Sequence, residues 1–112
     1  DMLAPAPGQG ALAVQVRRGD ARMIELVSAI DDGDVRLAVE AEREVLRTTG
    51  GTCRASVGAL ASISGDEFEL LAGGVNSDGS DKLVDRLKGS RGDAKDFAAR
   101  LGRRLLAAVA LR

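Results

Sequence analysis

Histidine, tryptophan and tyrosine are absent from this 112-residue chain, and cysteine occurs once, proline twice and phenylalanine twice. Without histidine, no Ser-His or Cys-His catalytic pair can be assembled within it. One thiol cannot close an internal disulfide, which fits a reducing, cytoplasmic setting. Phe68 and Phe97 are the only aromatics, too few to build a stacking platform for single-stranded nucleic acid. A net charge of -1 supplies no field to hold the chain on nucleic acid or an anionic membrane. No apolar run approaches the roughly 20 residues that span a bilayer. The start, Asp1-Met2-Leu3-Ala4-Pro5, lacks the basic and apolar segments of a secretory leader. What is present, 45% hydrophobic and 29% charged residues, is ordinary for a globular domain.

The pattern along the chain predicts an α+β fold. Pro5 to Gly10 reads as a loop, and Leu12, Val14 and Val16 alternate with Ala13, Gln15 and Arg17 as a strand over 11–17. A lone opening strand needs a partner for its ladder groups. With Asp1 in place of an initiator methionine, that suggests a C-terminal fragment of a longer protein. Asp20 is placed to cap a helix carrying Met23, Leu26, Val27 and Ile30. Asp34 is placed to cap a second helix, running to about Thr48, with Val35, Ala38, Val39, Val45 and Leu46 as its apolar face. Gly50-Gly51 stops that helix. Period-two alternation then predicts strands from Val57 to Ile63 and from Glu67 to Ala72, with a third from about Lys82 to Lys88. Ser64-Gly65-Asp66 and Asn76-Ser77-Asp78-Gly79 are the turns of a three-stranded antiparallel meander. Asp93 and Asp96 open a final helix with Phe97, Leu101, Leu105 and Ala108 on its inner stripe. The expectation is a small sheet with helices on one face.

Cys53 stands out because it follows a glycine pair, in Gly50-Gly51-Thr52-Cys53-Arg54, and not within a helical or strand pattern. Arg54, Arg43 and Arg47 would favour a thiolate there, whereas the carbonyl end of the preceding helix opposes it. Local physics alone therefore leaves a structural or incidental cysteine as the default and a reactive thiol as the alternative. Gly8-Gln9-Gly10 invites comparison with phosphate cradles, but a strand pattern follows it, so a tight turn is the better reading. Helix capping accounts for Asp31, Asp32 and Asp34 better than a metal site, since their spacing is not that of a calcium loop. Arg17-Arg18 and Arg103-Arg104 read as solvated faces.

Several segments together resemble one family. Leu3-Ala4-Pro5-Ala6-Pro7-Gly8-Gln9-Gly10-Ala11-Leu12, the helix Ala38-Val39-Glu40-Ala41-Glu42-Arg43, the loop Gly50 to Ala59, Asp78-Gly79 and Ala98-Ala99-Arg100-Leu101-Gly102 follow the order and spacing of the C-terminal portion of the porphobilinogen deaminase (hydroxymethylbilane synthase) family. The resemblance implies a transferase of tetrapyrrole and haem biosynthesis. Its members condense four porphobilinogen molecules into hydroxymethylbilane and release ammonia at each step. A dipyrromethane cofactor is held by a thioether to the loop cysteine, here Cys53. Gln9 and Gly10 match a loop near the cofactor cleft and are carried over as binding residues.

The family's catalytic aspartate, and most arginines that hold the pyrrole carboxylates, lie in two preceding domains. No catalytic residue or metal site is therefore expected here, and the fragment alone should be inactive. Residues 1–32 would be the loop, strand and helix returning from those N-terminal domains, and residues 33–112 the cofactor-anchoring domain. The parent would be a cytoplasmic monomer. Thr52 stands where the family commonly has glycine, and Ser56 where it has proline. Loss of the proline should loosen the loop. The other reading of the same residues is a non-catalytic α+β module that binds a ligand or partner, with Cys53 incidental.

Overall fold

Aspartates open the first two helices and a glycine follows the second. This computed structural model describes residues 5–50, 57–75 and 82–108. Asp20 begins α1 (Ala21–Ser28), its Oδ1 accepting from the Met23 N–H at 3.1 Å. The second helix, α2 (Gly33–Thr48), is capped by Asp32 and not by Asp34: Asp32 Oδ1 accepts from the N–H groups of Asp34 (3.0 Å) and Val35 (3.2 Å). Asp34 instead sits in the first turn, where its carboxylate suits the positive helix end, and it pairs with Arg91 at 2.8 Å. At the other end Thr49 caps the helix, and Gly50 follows at φ +67 with its N–H bonded to the Arg47 carbonyl. That left-handed conformation is the reason a glycine stands there.

The sheet is β1 (Val57–Ser64), β2 (Glu67–Val75) and β3 (Lys82–Ser90), antiparallel in the order β1-β2-β3. Register pairs Ala59 with Ala72, Ala61 with Leu70 and Ile63 with Phe68, and on the other side Phe68 with Gly89 and Leu70 with Leu87. Inward positions thus line up across three strands, as the alternation requires. A 3-10 turn, Arg91–Asp93, leads into α3 (Ala94–Ala108). Helix α2 packs over β1, α3 packs over β2 and β3, and the two helices contact each other. The core is Ala41, Val45, Val57, Ala59, Ala61, Phe68, Leu70, Ala72, Ala94, Ala98, Leu101 and Leu105. The small α+β domain with one helix-covered face is therefore as the sequence predicts. The Asn76 to Gly79 turn lies outside the described residues.

Three expectations change. Residues 11–16 carry no helix or strand and are largely exposed, with Leu12 at 96%. Their alternation supplies a face, but a strand also needs a second backbone to take its ladder bonds. Helix α1 ends at Ser28, buries none of its residues, and leaves Ile30 exposed beyond it. On α2 the buried positions are Ala41, Glu42 and Val45, while Val35 faces solvent. Arg104 is exposed, as expected of a solvated face, and there it also pairs with Asp85 of β3.

At Gly102 the two long helices approach closely. A Cβ built there would lie 2.6 Å from Thr48 Cβ and 3.2 Å from the Val45 carbonyl oxygen. Alanine gains up to about 1 kcal/mol of helix propensity over glycine, but overpacking costs about 1–3 kcal/mol. Because the obstructing atoms belong to the body of α2, the clash should win. Gly102→Ala is expected to lower stability by about 1 kcal/mol, read as a lower urea midpoint; an unchanged or higher midpoint would refute the close contact.

Candidate functional site

The connection between α2 and β1 runs from Thr49 to Ser56 and contains the one cysteine. Cys53, with Thr52 and Ser56, lies outside the described residues. What the structure does describe is α2 and β1, which flank the connection in sequence, and the N-terminal loop docked on them.

Glu42 is on the inward side of α2 and 6% exposed. Its Oε1 accepts from the Gly8 N–H at 2.7 Å, and its Oε2 accepts from the Ala61 N–H at 2.8 Å. One carboxylate thus joins a helix, a strand and the N-terminal loop. Buried carboxylates are tolerated when such donors satisfy them, and each bond to a charged group is worth about 1.5–3 kcal/mol. Strand β1 is at the sheet edge, so Ala59 and Ala61 turn their N–H groups away from β2. Glu42 takes one, and the Pro5 carbonyl takes the other at 2.8 Å. The edge is thereby closed by the loop and not by another strand.

Gly8-Gln9-Gly10 forms the tip of that loop. The Gln9 N–H donates to the Ala6 carbonyl at 3.1 Å, and Gln9 Oε1 accepts from the Ala6 N–H at 3.2 Å. The Gln9 carboxamide oxygen therefore shapes its own turn. Gly8 has φ +77, and a methyl group added there would lie 3.9 Å from both Arg43 Nε and Val39. Arg43 is exposed and has no ion pair among the described residues.

Gly10 and Arg43 stand at one end of a groove of about 550 Å³ between residues 10–14 and α2, walled by Leu12, Val14, Val35 and Val39. Asp31 lines the groove further along and receives two hydrogen bonds from Arg36, at 3.0 and 2.8 Å. Those bonds hold the Asp31 carboxyl below its usual range. Whatever the pair contributes is present above about pH 4 and is lost as pH falls through the lowered value. Asp31, Asp32 and Asp34 are thus an ion pair, a helix cap and a second ion pair. No cluster suited to a metal ion occurs among the described residues.

The structure accordingly brings Gln9 and Gly10 to the side of α2 and β1, the elements that flank the Cys53 connection. Glu42 was not singled out from sequence. Its available signal was an acidic residue between Ala41 and Val45, at helical spacing with a buried face.

Comparison with known proteins is consistent along most of the chain. Residues 36–109 match the family model for the C-terminal domain of porphobilinogen deaminase. The porphobilinogen deaminase of Pelotomaculum thermopropionicum is 40% identical over 106 residues, covering 95% of this chain and 34% of that protein. That of Acidothermus cellulolyticus is 40% identical over 113 residues, covering 97% and 34%. That of Moorella thermoacetica is 43% identical over 104 residues, covering 92% and 33%. The chain spans about a third of the length of these relatives.

Proposed function

Since the chain belongs to the porphobilinogen deaminase family through its C-terminal domain, we propose that it is the cofactor-anchoring part of such an enzyme, with Cys53 forming a thioether to dipyrromethane. The parent's reaction in this reading is the condensation of four porphobilinogen molecules into hydroxymethylbilane with loss of ammonia. The observation that carries the proposal is the position of the single thiol. It falls between α2 and β1, the two elements against which the Gly8-Gln9-Gly10 loop is held.

The donor set suits the group. A soft thiolate gives a thioether stable to repeated turnover, and no histidine or metal is needed to make that bond. Arg43, exposed beside the glycine loop, is placed to meet a pyrrole carboxylate, for which a guanidinium fork is well shaped. Gln9 and Gly10 would line the same cleft. When bound, dipyrromethane supplies the primer to which pyrrole units are added; this chain's residues hold and orient it. Residues 1–32 would return from the N-terminal domains. Their contact would cover the exposed Leu12, Val14 and Ile30, leaving residues 33–112 as the anchoring domain. A cytoplasmic, monomeric parent completes this reading.

The parent's acid-base group would lie outside this chain, in the preceding domains. The purified 112-residue chain should therefore release no ammonia from porphobilinogen above a protein-free control. A catalytic, protein-dependent release would overturn the assignment of this chain as an anchor alone.

A further inference from the structure

Glu42 does more than satisfy a helix. Its side chain is the one described group that bonds both the N-terminal loop and β1 from α2, with oxygens at 2.7 Å from the Gly8 nitrogen and 2.8 Å from the Ala61 nitrogen. Nineteen residues separate Glu42 from Ala61, and 34 separate it from Gly8. No local backbone bond could fix these three segments relative to one another. The second link between loop and strand, Pro5 carbonyl to Ala59 N–H, lies two strand residues from the first. Together they fix both the height and the direction of the loop along the strand edge. Removing one oxygen should leave the loop attached at Pro5 but let its glycine tip swing.

We propose that Glu42 is a positioning residue: its two carboxylate oxygens hold the Gly8-Gln9-Gly10 turn in one place relative to α2 and β1. It touches neither cofactor nor substrate. Its effect on turnover passes through the loop, and that part of the inference rests on the cofactor-anchor reading above. Carboxylate chemistry is specific here, because two backbone donors converge and only a group with two acceptors and no donor satisfies both. Glutamine keeps the size but turns an NH2 group toward one of those donors. Aspartate is one methylene too short to reach both.

The test is Glu42→Gln in the full-length enzyme, with two measurements. Amide exchange at Gly8 and Ala61 should accelerate roughly 10- to 100-fold, as expected when a bond to a charged acceptor is lost. Amides of β2 and α3 should keep their protection. The rate of hydroxymethylbilane formation, divided by the fraction of Cys53 peptide carrying the adduct, should fall roughly tenfold, a loss of about 1.4 kcal/mol. A purely structural role would lower the folded or loaded fraction and leave that quotient unchanged. Unchanged exchange at Gly8 and Ala61 overturns the clamp; accelerated exchange with an unchanged quotient overturns the positioning role. If wild-type Cys53 carries no adduct, the anchor reading fails, while the exchange measurement still decides the clamp. Should Glu42→Gln not fold, Gly8→Ala serves instead. It strains the loop end at φ +77, at the donor to Glu42 Oε1, while leaving the Glu42 side chain and its bond to Ala61 in place, and it should lower the same quotient; no change there overturns the proposal.

Discussion

Cys53→Ala in the full-length enzyme is expected to remove the dipyrromethane adduct completely and to reduce hydroxymethylbilane formation to background. The change deletes the only thiol in this chain, which leaves no second cysteine here to take its place. Cys53→Ser is expected to do nearly the same, because an alcohol is a much weaker nucleophile than a thiolate without a base to activate it, and the chain contains no histidine. Intact mass and an ammonia assay on the same preparations check both variants. Thermal melts run in parallel separate a missing adduct from a missing fold. A fully active Cys53→Ala enzyme, or one that still carries the adduct within this domain, would sink the anchor assignment.

Phe68→Ala is expected to cost about 3–5 kcal/mol, the largest effect of any single truncation in this core. Phe68 is 1% exposed on the central strand, between Ile63 of β1 and Gly89 of β3. Its ring lies 6.3 Å from that of Phe97, tilted by 36°. Gly89 offers no side chain to fill a vacancy, since it is itself covered by the Phe97 ring. The cavity would therefore persist, and relaxation would recover little. Domains of this size are stable by about 5–15 kcal/mol, so the loss is a large share of the total. Leu60→Ala on the open face of β1, where Leu60 is 43% exposed, should cost less than about 1 kcal/mol. Urea midpoints for the two variants check the contrast; equal shifts would contradict the placement of the core.

Much of the fold was readable because its cues are local. Asp20 caps a helix within three residues, and Gly50 ends one through its own backbone angle. Alternation along 57–63 and 67–72 needs only a pleat and one wet side. The same reasoning failed where a partner was required. Leu12, Val14 and Val16 alternate as well as any strand here, yet nothing among the described residues pairs with them. Met23, Leu26 and Ile30 make a helical stripe, but no layer among the described residues covers it. On α2 the apolar pattern points inward through Val35, yet Val35 faces solvent. The helix packs against both β1 and α3, which favours the small Ala41 and brings Glu42 inside.

The candidate site divides in the same way. The thiol, the glycine turn and their family resemblance were legible as residues in order, because short motifs carry their chemistry in the side chains themselves. Sequence by itself determined the three-stranded meander, the Asp20 start of α1, the Gly50 stop after α2 and the single thiol between α2 and β1. Only the tertiary structure decided that the Gly8-Gln9-Gly10 turn docks against α2 and β1, and that Glu42 joins loop, helix and strand. Those outcomes depend on which hydrogen-bond donors from distant parts of the chain arrive at one acceptor, and on the volume left between packed layers. Neither is encoded in the neighbours of any one residue.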